Sequence, residues 1–118
     1  MLSNQLYDEQ KVKDVAMLAG RILLESGAET YRVEDTMTRI AEFYGLHNTH
    51  SFVTPTAIIF SLNEKSSTRL YRVSDRTTDL EKISEVNEIS RAITSGKVSL
   101  ESAKMALDIL DKANLQYK

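Results

Sequence analysis

The sequence predicts an α+β domain, ordered as two helices, a three-stranded and mainly antiparallel sheet, and two further helices (ααβββαα). Three observations predict it. Apolar residues recur at helical spacing in both halves of the chain, the middle changes to runs rich in β-branched and aromatic residues, and glycines stand at positions 27, 45 and 96, where helices would stop.

The first helix is expected over residues 8–26, where Val12, Val15, Ala16, Ala19, Ile22 and Leu23 form one stripe and Gly27 supplies a left-handed C-terminal cap. The second begins near Thr30, read as its N-cap, and carries Val33, Met37, Ile40, Ala41 and Tyr44 before Gly45. Strands are expected over 50–54, 57–62 and 68–73, the last two forming a hairpin across Asn63-Glu64-Lys65-Ser66 with the first as a further strand before it. Pro55 has no N–H to donate, which places it at a strand end, a bulge or an edge. A third helix over 79–94 carries Leu80, Ile83, Val86, Ile89 and Ile93 and stops at Gly96. The last follows Ser99 as N-cap, has Glu101 near the positive end of its dipole, and aligns Leu100, Ala103, Leu107 and Leu110. Helices covering one side of the sheet would let each helix bury its stripe.

Composition narrows the function. A chain of 118 residues is the size of one domain with one core, and its 42% apolar and 27% charged residues are those of a folded protein. Fifteen basic against 17 acidic residues give a net charge of -2, which provides no field for nucleic acid. The absence of cysteine excludes disulfides, thiolate catalysis and cysteine-ligated zinc. His47 and His50 have no such support and lie between a helix and a strand, so no metal and no cofactor is expected. A bilayer span needs about 20 apolar residues, whereas the longest run, Val15 to Ala19, is closed by Gly20 and Arg21. Met1-Leu2-Ser3-Asn4-Gln5 lacks the basic and apolar segments of a secretory signal. The expectation is a single soluble cytoplasmic domain over 1–118.

The polar residues most able to carry chemistry begin with Gly27-Ala28-Glu29-Thr30-Tyr31-Arg32-Val33-Glu34-Asp35-Thr36, at the joint of the first two helices. If the second helix extends back to Glu29, then Glu29, Arg32 and Thr36 lie along one margin of its apolar stripe. Arg32 then either pairs with Glu29 or Asp35, or faces a shallow pocket where a guanidinium and a carboxylate recognise an amino acid. Thr54 and Thr56 flank Pro55 and present hydroxyls where the sheet ladder stops. Arg69, Arg72 and Arg76, with Asp75 among them, make the third strand and its exit locally basic, although alternation puts Arg69 and Arg72 on opposite faces. The sequence has no Walker motif or nucleophile elbow, and adjacent Glu34 and Asp35 diverge on a helix, so enzyme activity has no positive support.

The block from Gly27 to Thr36, then Phe52-Val53-Thr54-Pro55-Thr56, resembles the N-terminal region of the threonine/serine exporter family. Arg69-Leu70-Tyr71-Arg72-Val73, Asp75-Arg76, Asp79-Leu80-Glu81-Lys82 and Val86-Asn87 resemble its next blocks in order and spacing. The resemblance implies a bacterial or related membrane protein in which this hydrophilic domain precedes transmembrane helices that export threonine, serine or another small metabolite, drawing on the proton motive force. It implies a domain excised from a longer chain, standing at the cytoplasmic face of the membrane. Its functional surface would include Glu29, Thr30, Arg32, Glu34, Thr54, Pro55, Thr56, Arg69, Asp75 and Arg76. Its partners would be the transmembrane region of the same protein or of a partner subunit, a small amino-acid ligand, and a second copy of itself. Two alternatives stand beside this one: a hydrolase-like domain using Glu29, Glu34, Thr54 or Asp75, and an assembly module.

Overall fold

The computed structural model describes residues 9–62 and 68–113. The expectations for residues 1–5, Asp8, the turn at 63–66 and the C-terminal residues 115–118 lie outside this range. The elements are α1 (Glu9–Glu25), α2 (Thr30–Phe43), β1 (His50–Thr54), β2 (Ala57–Ser61), β3 (Arg69–Arg72), α3 (Leu80–Thr94) and α4 (Leu100–Lys112), which is the expected order.

Helix α1 is the hub, packing against each of the other helices and against β2. Its stripe is fully used: Val12, Val15, Ala16, Ala19, Ile22, Leu23 and Leu24 are buried, and Lys13 is buried with them at 1% exposure. Against it lie Val33, Met37, Ile40 and Ala41 of α2, Val86 and Ile93 of α3, and Ala103 and Leu107 of α4. The α1–α2 approach is set by Gly20, where an added β-carbon would stand 2.6 Å from Met37 Sδ and 3.4 Å from Val33 Cγ1. The third-helix stripe is narrower than expected. Leu80 is 72% exposed because it opens the helix at its N-terminus, while Ile83 and Ile89 only flank the core.

Each of the first three helices ends in the same way. At α1, Gly27 has φ +96°, its N–H donates to Leu24 O at 3.1 Å, and the Ala28 N–H donates to Leu23 O at 3.0 Å. This pair of bonds is the Schellman cap, which uses a left-handed residue that a β-carbon would strain. The same two bonds recur around Gly45 and Gly96, so the predicted stops are real. The predicted start of α2 is off by one residue: Glu29 is the extended N-cap, its side chain makes no capping bond, and Thr30 is the first helical residue. The cause is the cap before it, which already turns the chain at Gly27 and leaves Glu29 O to accept from Arg32 and Val33 N–H. The predicted cap Ser99 holds, accepting from the N–H of Ser102, and Asp79, read only as the start of the third helix, caps it by accepting from the N–H of Lys82.

The sheet is an antiparallel meander in the order β1-β2-β3. The strand read as merely preceding a hairpin forms one itself, with Thr54 opposite Ala57 and only Pro55 and Thr56 between them. Proline at the first central position suits this turn because its φ is preset. Val53, Ile58 and Phe60 face the helices and are buried. The opposite face carries Phe52, Ile59 and Leu70 in one cross-strand row, and all three are exposed. Helices therefore cover one side of the sheet.

Candidate functional site

The motif residues divide into those that hold the α1–α2 joint and those that the joint presents outward. The last carbonyls of any helix lack internal partners. Here the segment after β3 supplies them: Arg76 Nε donates to Leu24 O at 2.9 Å, Arg76 Nη2 to Ala28 O at 2.9 Å, Thr77 N–H to Glu25 O at 2.9 Å, and Asp79 N–H to Ser26 O at 3.0 Å. A guanidinium at a helix C-terminus also meets the negative end of the dipole. Arg76 is thus a clamp. Glu34 is used similarly, since its carboxylate accepts from the N–H of Val53 at 3.0 Å and ties α2 to edge strand β1.

Thr54, Pro55 and Thr56 form the β1–β2 turn. Thr54 Oγ1 accepts from Thr56 N–H at 3.2 Å and lies 3.5 Å from Thr56 Oγ1, so the two hydroxyls close on each other. Arg69 pairs with Asp14 of α1 at 2.6 Å, while Arg72 is exposed on the other face, as strand alternation requires. Asp75 and Glu29 are exposed, and Thr30 is half-buried at the first turn of α2.

Arg32 is different. It reaches into a polar cleft of about 190 Å³ between α2 and α3, shared with Asp35, Arg39, Asn87, Ser90 and Arg91. Asp35 pairs with Arg39 at 3.0 Å rather than with Arg32, and the expected Glu29–Arg32 wall does not form because Glu29 lies outside the helix. Among the described residues the Arg32 guanidinium has no hydrogen-bond or ion-pair partner. Arg91 keeps only a 3.8 Å contact with Glu88. Three guanidinium groups against one carboxylate make this cleft a place for a carboxylate or another acidic group. Sequence reasoning named Arg32 as a candidate and Asn87 only as part of a motif block, and did not name Arg39, Ser90 or Arg91. The available signal was spacing, since Asn87, Ser90 and Arg91 share one face of a helix at i, i+3 and i+4.

A second polar cluster joins α1, β3 and α4. Arg21 forms two bonds to Asp111, at 3.2 and 2.7 Å, and one to Glu25 at 3.2 Å, while its guanidinium carbon sits 5.2 Å from the centre of the Tyr71 ring. Partial burial disfavours the Arg21 charge, but hydrogen bonding and the charges of Asp111 and Glu25 outweigh it and raise its pKa. The Tyr71 phenol donates to Glu25 at 3.2 Å and is also raised, first by burial and then by the Glu25 carboxylate, with Arg21 opposing. At the far end of α4, the Glu101 carboxylate is lowered by its hydrogen bond from Lys11. The hydrolase expectation meets neither cluster: Glu29, Glu34, Thr54 and Asp75 line neither the Arg32 cleft nor the one beside Tyr71.

No helix among the described residues is long and apolar enough to cross a membrane. The family model described as "Putative threonine/serine exporter" matches residues 14–118. The chain is 30% identical over 112 residues to the "Probable threonine/serine exporter" of Mycobacterium tuberculosis, covering 92% of this chain and 21% of that protein. It is also 30% identical over 120 residues to the "Threonine/serine exporter" of Corynebacterium glutamicum, covering 95% of this chain and 24% of that one. The chain therefore spans about a quarter or less of the curated relatives it matches. No solved structure matches it.

Proposed function

The chain belongs to the threonine/serine exporter family, and on that premise we propose that it is an accessory domain standing outside the bilayer at the cytoplasmic face of an exporter. The spanning helices that carry threonine, serine or a similar metabolite belong, in this reading, to the remainder of the exporter and draw on the proton motive force. The domain regulates that efflux through the α2–α3 cleft. The observation that carries this reading is the contrast within the motif blocks. Gly27, Glu34, Arg76 and Asp79 are consumed in holding the fold, whereas Arg32 is held over a cationic cleft with no partner among the described residues. A guanidinium without a partner among the described residues is available to an acidic group on the membrane-embedded part.

The test is Arg32→Gln in the full-length exporter, which removes the charge and keeps polarity and approximate length. Because Arg32 is exposed and has no partner among the described residues, the substitution should change stability by less than about 1 kcal/mol. Cells preloaded with labelled threonine and expressing equal amounts of either form should show efflux reduced several-fold by the substitution. Equal efflux would overturn the role of Arg32.

A further inference from the structure

A cleft of about 280 Å³ lies between α1, β3 and α4, apart from the Arg32 cleft. It is at the small end of ligand sites, which run from about 300 to 1,000 Å³, and so suits a molecule the size of a free amino acid rather than a nucleotide. Its lining carries two ion pairs, Asp14 with Arg69 at 2.6 Å and Lys104 with Asp108 at 2.9 Å, and a fifth charge, Arg21, that is paired from behind with Asp111 and Glu25. Apolar surface is supplied by Met17 and Leu18, and the ring of Tyr71 borders it.

We propose that this cleft binds a small zwitterionic α-amino acid, with the ligand carboxylate on Arg69 and Lys104 and its ammonium on Asp14 and Asp108. Two features select this chemistry. The four charges of these two pairs sum to zero, so a lone carboxylate or ammonium gains from one member of each pair and is repelled by the other, whereas a zwitterion answers both members. The two pairs are also the exchangeable ones. Their side chains are between 35% and 43% exposed, and ion pairs so exposed are weak enough for a ligand to replace one partner with its own group. The wall behind them does not exchange: Arg21 is committed to Asp111 and Glu25, and the Tyr71 hydroxyl to Glu25, which fixes the cleft before a ligand arrives. This inference rests on the exporter reading only for its choice of probes.

Nuclear magnetic resonance titration of the 118-residue chain with L-threonine, L-serine and L-alanine tests it. Saturable shifts should appear at the amides of Leu18, Tyr71 and Lys104. L-threonine amide, which lacks the carboxylate, and 3-hydroxybutyrate, which lacks the ammonium, should each bind at least about tenfold more weakly, as expected for loss of one charged hydrogen-bonding group. Arg69→Gln should weaken L-threonine by a similar factor and leave the amide analogue unchanged, while Asp14→Asn should spare 3-hydroxybutyrate. The spectra of both variants report whether they remain folded, and either folded variant suffices. No saturable shift with any of the three amino acids, or equal binding of the analogues, overturns the proposal. The outcome is separable from that of the exporter reading. An amino acid that fails to bind leaves the Arg32 efflux result standing, and unaltered efflux in Arg32→Gln leaves the binding result standing.

Discussion

Replacing Arg76 distinguishes a residue that builds the domain from one that acts on a partner. Its guanidinium makes two 2.9 Å bonds, to Leu24 O and Ala28 O. Hydrogen bonds from charged groups contribute about 1.5–3 kcal/mol each when well shielded, but the segment is exposed and water competes, so the pair is worth about 1–3 kcal/mol in total. Leu24 O keeps the N–H of Gly27 as a partner at 3.1 Å, which places most of the loss on Ala28 O and on the helix dipole. For a chain of this size, Arg76→Gln should lower the melting temperature by roughly 4–12 °C. Arg76→Lys should recover less than half, because one ammonium does not span both carbonyls. Thermal melting followed by circular dichroism measures both, and under the proposed function labelled-threonine efflux by an exporter carrying either variant, normalised to folded protein, should stay near wild type. An Arg76→Gln protein that melts normally and does not export would refute the clamp and make Arg76 a contact residue.

Two further outcomes follow from packing and ionisation. Gly20→Ala gains about 1 kcal/mol of helix propensity but forces a methyl against buried Met37, an overpacking cost of about 1–3 kcal/mol; urea unfolding should show it neutral to destabilising. In a Met37→Ala background, itself costing about 2–5 kcal/mol, the same change should stabilise, and equal effects in both backgrounds would refute the close approach. The raised Tyr71 pKa means that its neutral form is favoured by folding, so this contribution is fully present below the ordinary tyrosine value of about 10 and is lost as pH rises through the higher folded value. Phenolate absorbance at 295 nm should contain a late-titrating component that Tyr71→Phe removes.

The elements were legible because their signals are local. Stripes at helical spacing located all four helices, and three glycines marked three stops, since a left-handed cap is a property of the backbone at one residue. The first hairpin was missed because Pro55-Thr56 lacks the Asn-Gly or Gly-X signature of common two-residue turns. The start of α2 was misplaced because Thr30 is a better capping residue than Glu29 by type, while the geometry imposed by Gly27 decided the matter. For the candidate cleft, Arg32, Asp35, Thr36 and Asn87 were all present in the motif blocks, but that the two blocks meet there with Ser90 and Arg91 was not legible, because only tertiary packing brings α3 over α2. The duties of Arg76 and Glu34 were hidden for the same reason: a side chain bonded to a distant backbone group looks, in sequence, like any exposed charge.

The joint after α1 fixes phase as well as direction. Gly20 must face Met37 while, one turn later, the carbonyl of Leu24 and, just past the cap, that of Ala28 must face Arg76. A helix advances about 100° and 1.5 Å per residue. Deleting one residue between Gly20 and Gly27 would therefore rotate everything downstream by more than a quarter turn relative to the Gly20 contact, and α2 could keep its packing or its clamp but not both. Arg32 would swing with it, away from α3. The stretch from 20 to 28 thus behaves as a gauge of fixed length, whereas the chain between α2 and β1 at 47–49, held by neither constraint, is where residues can be added or removed without turning the cleft.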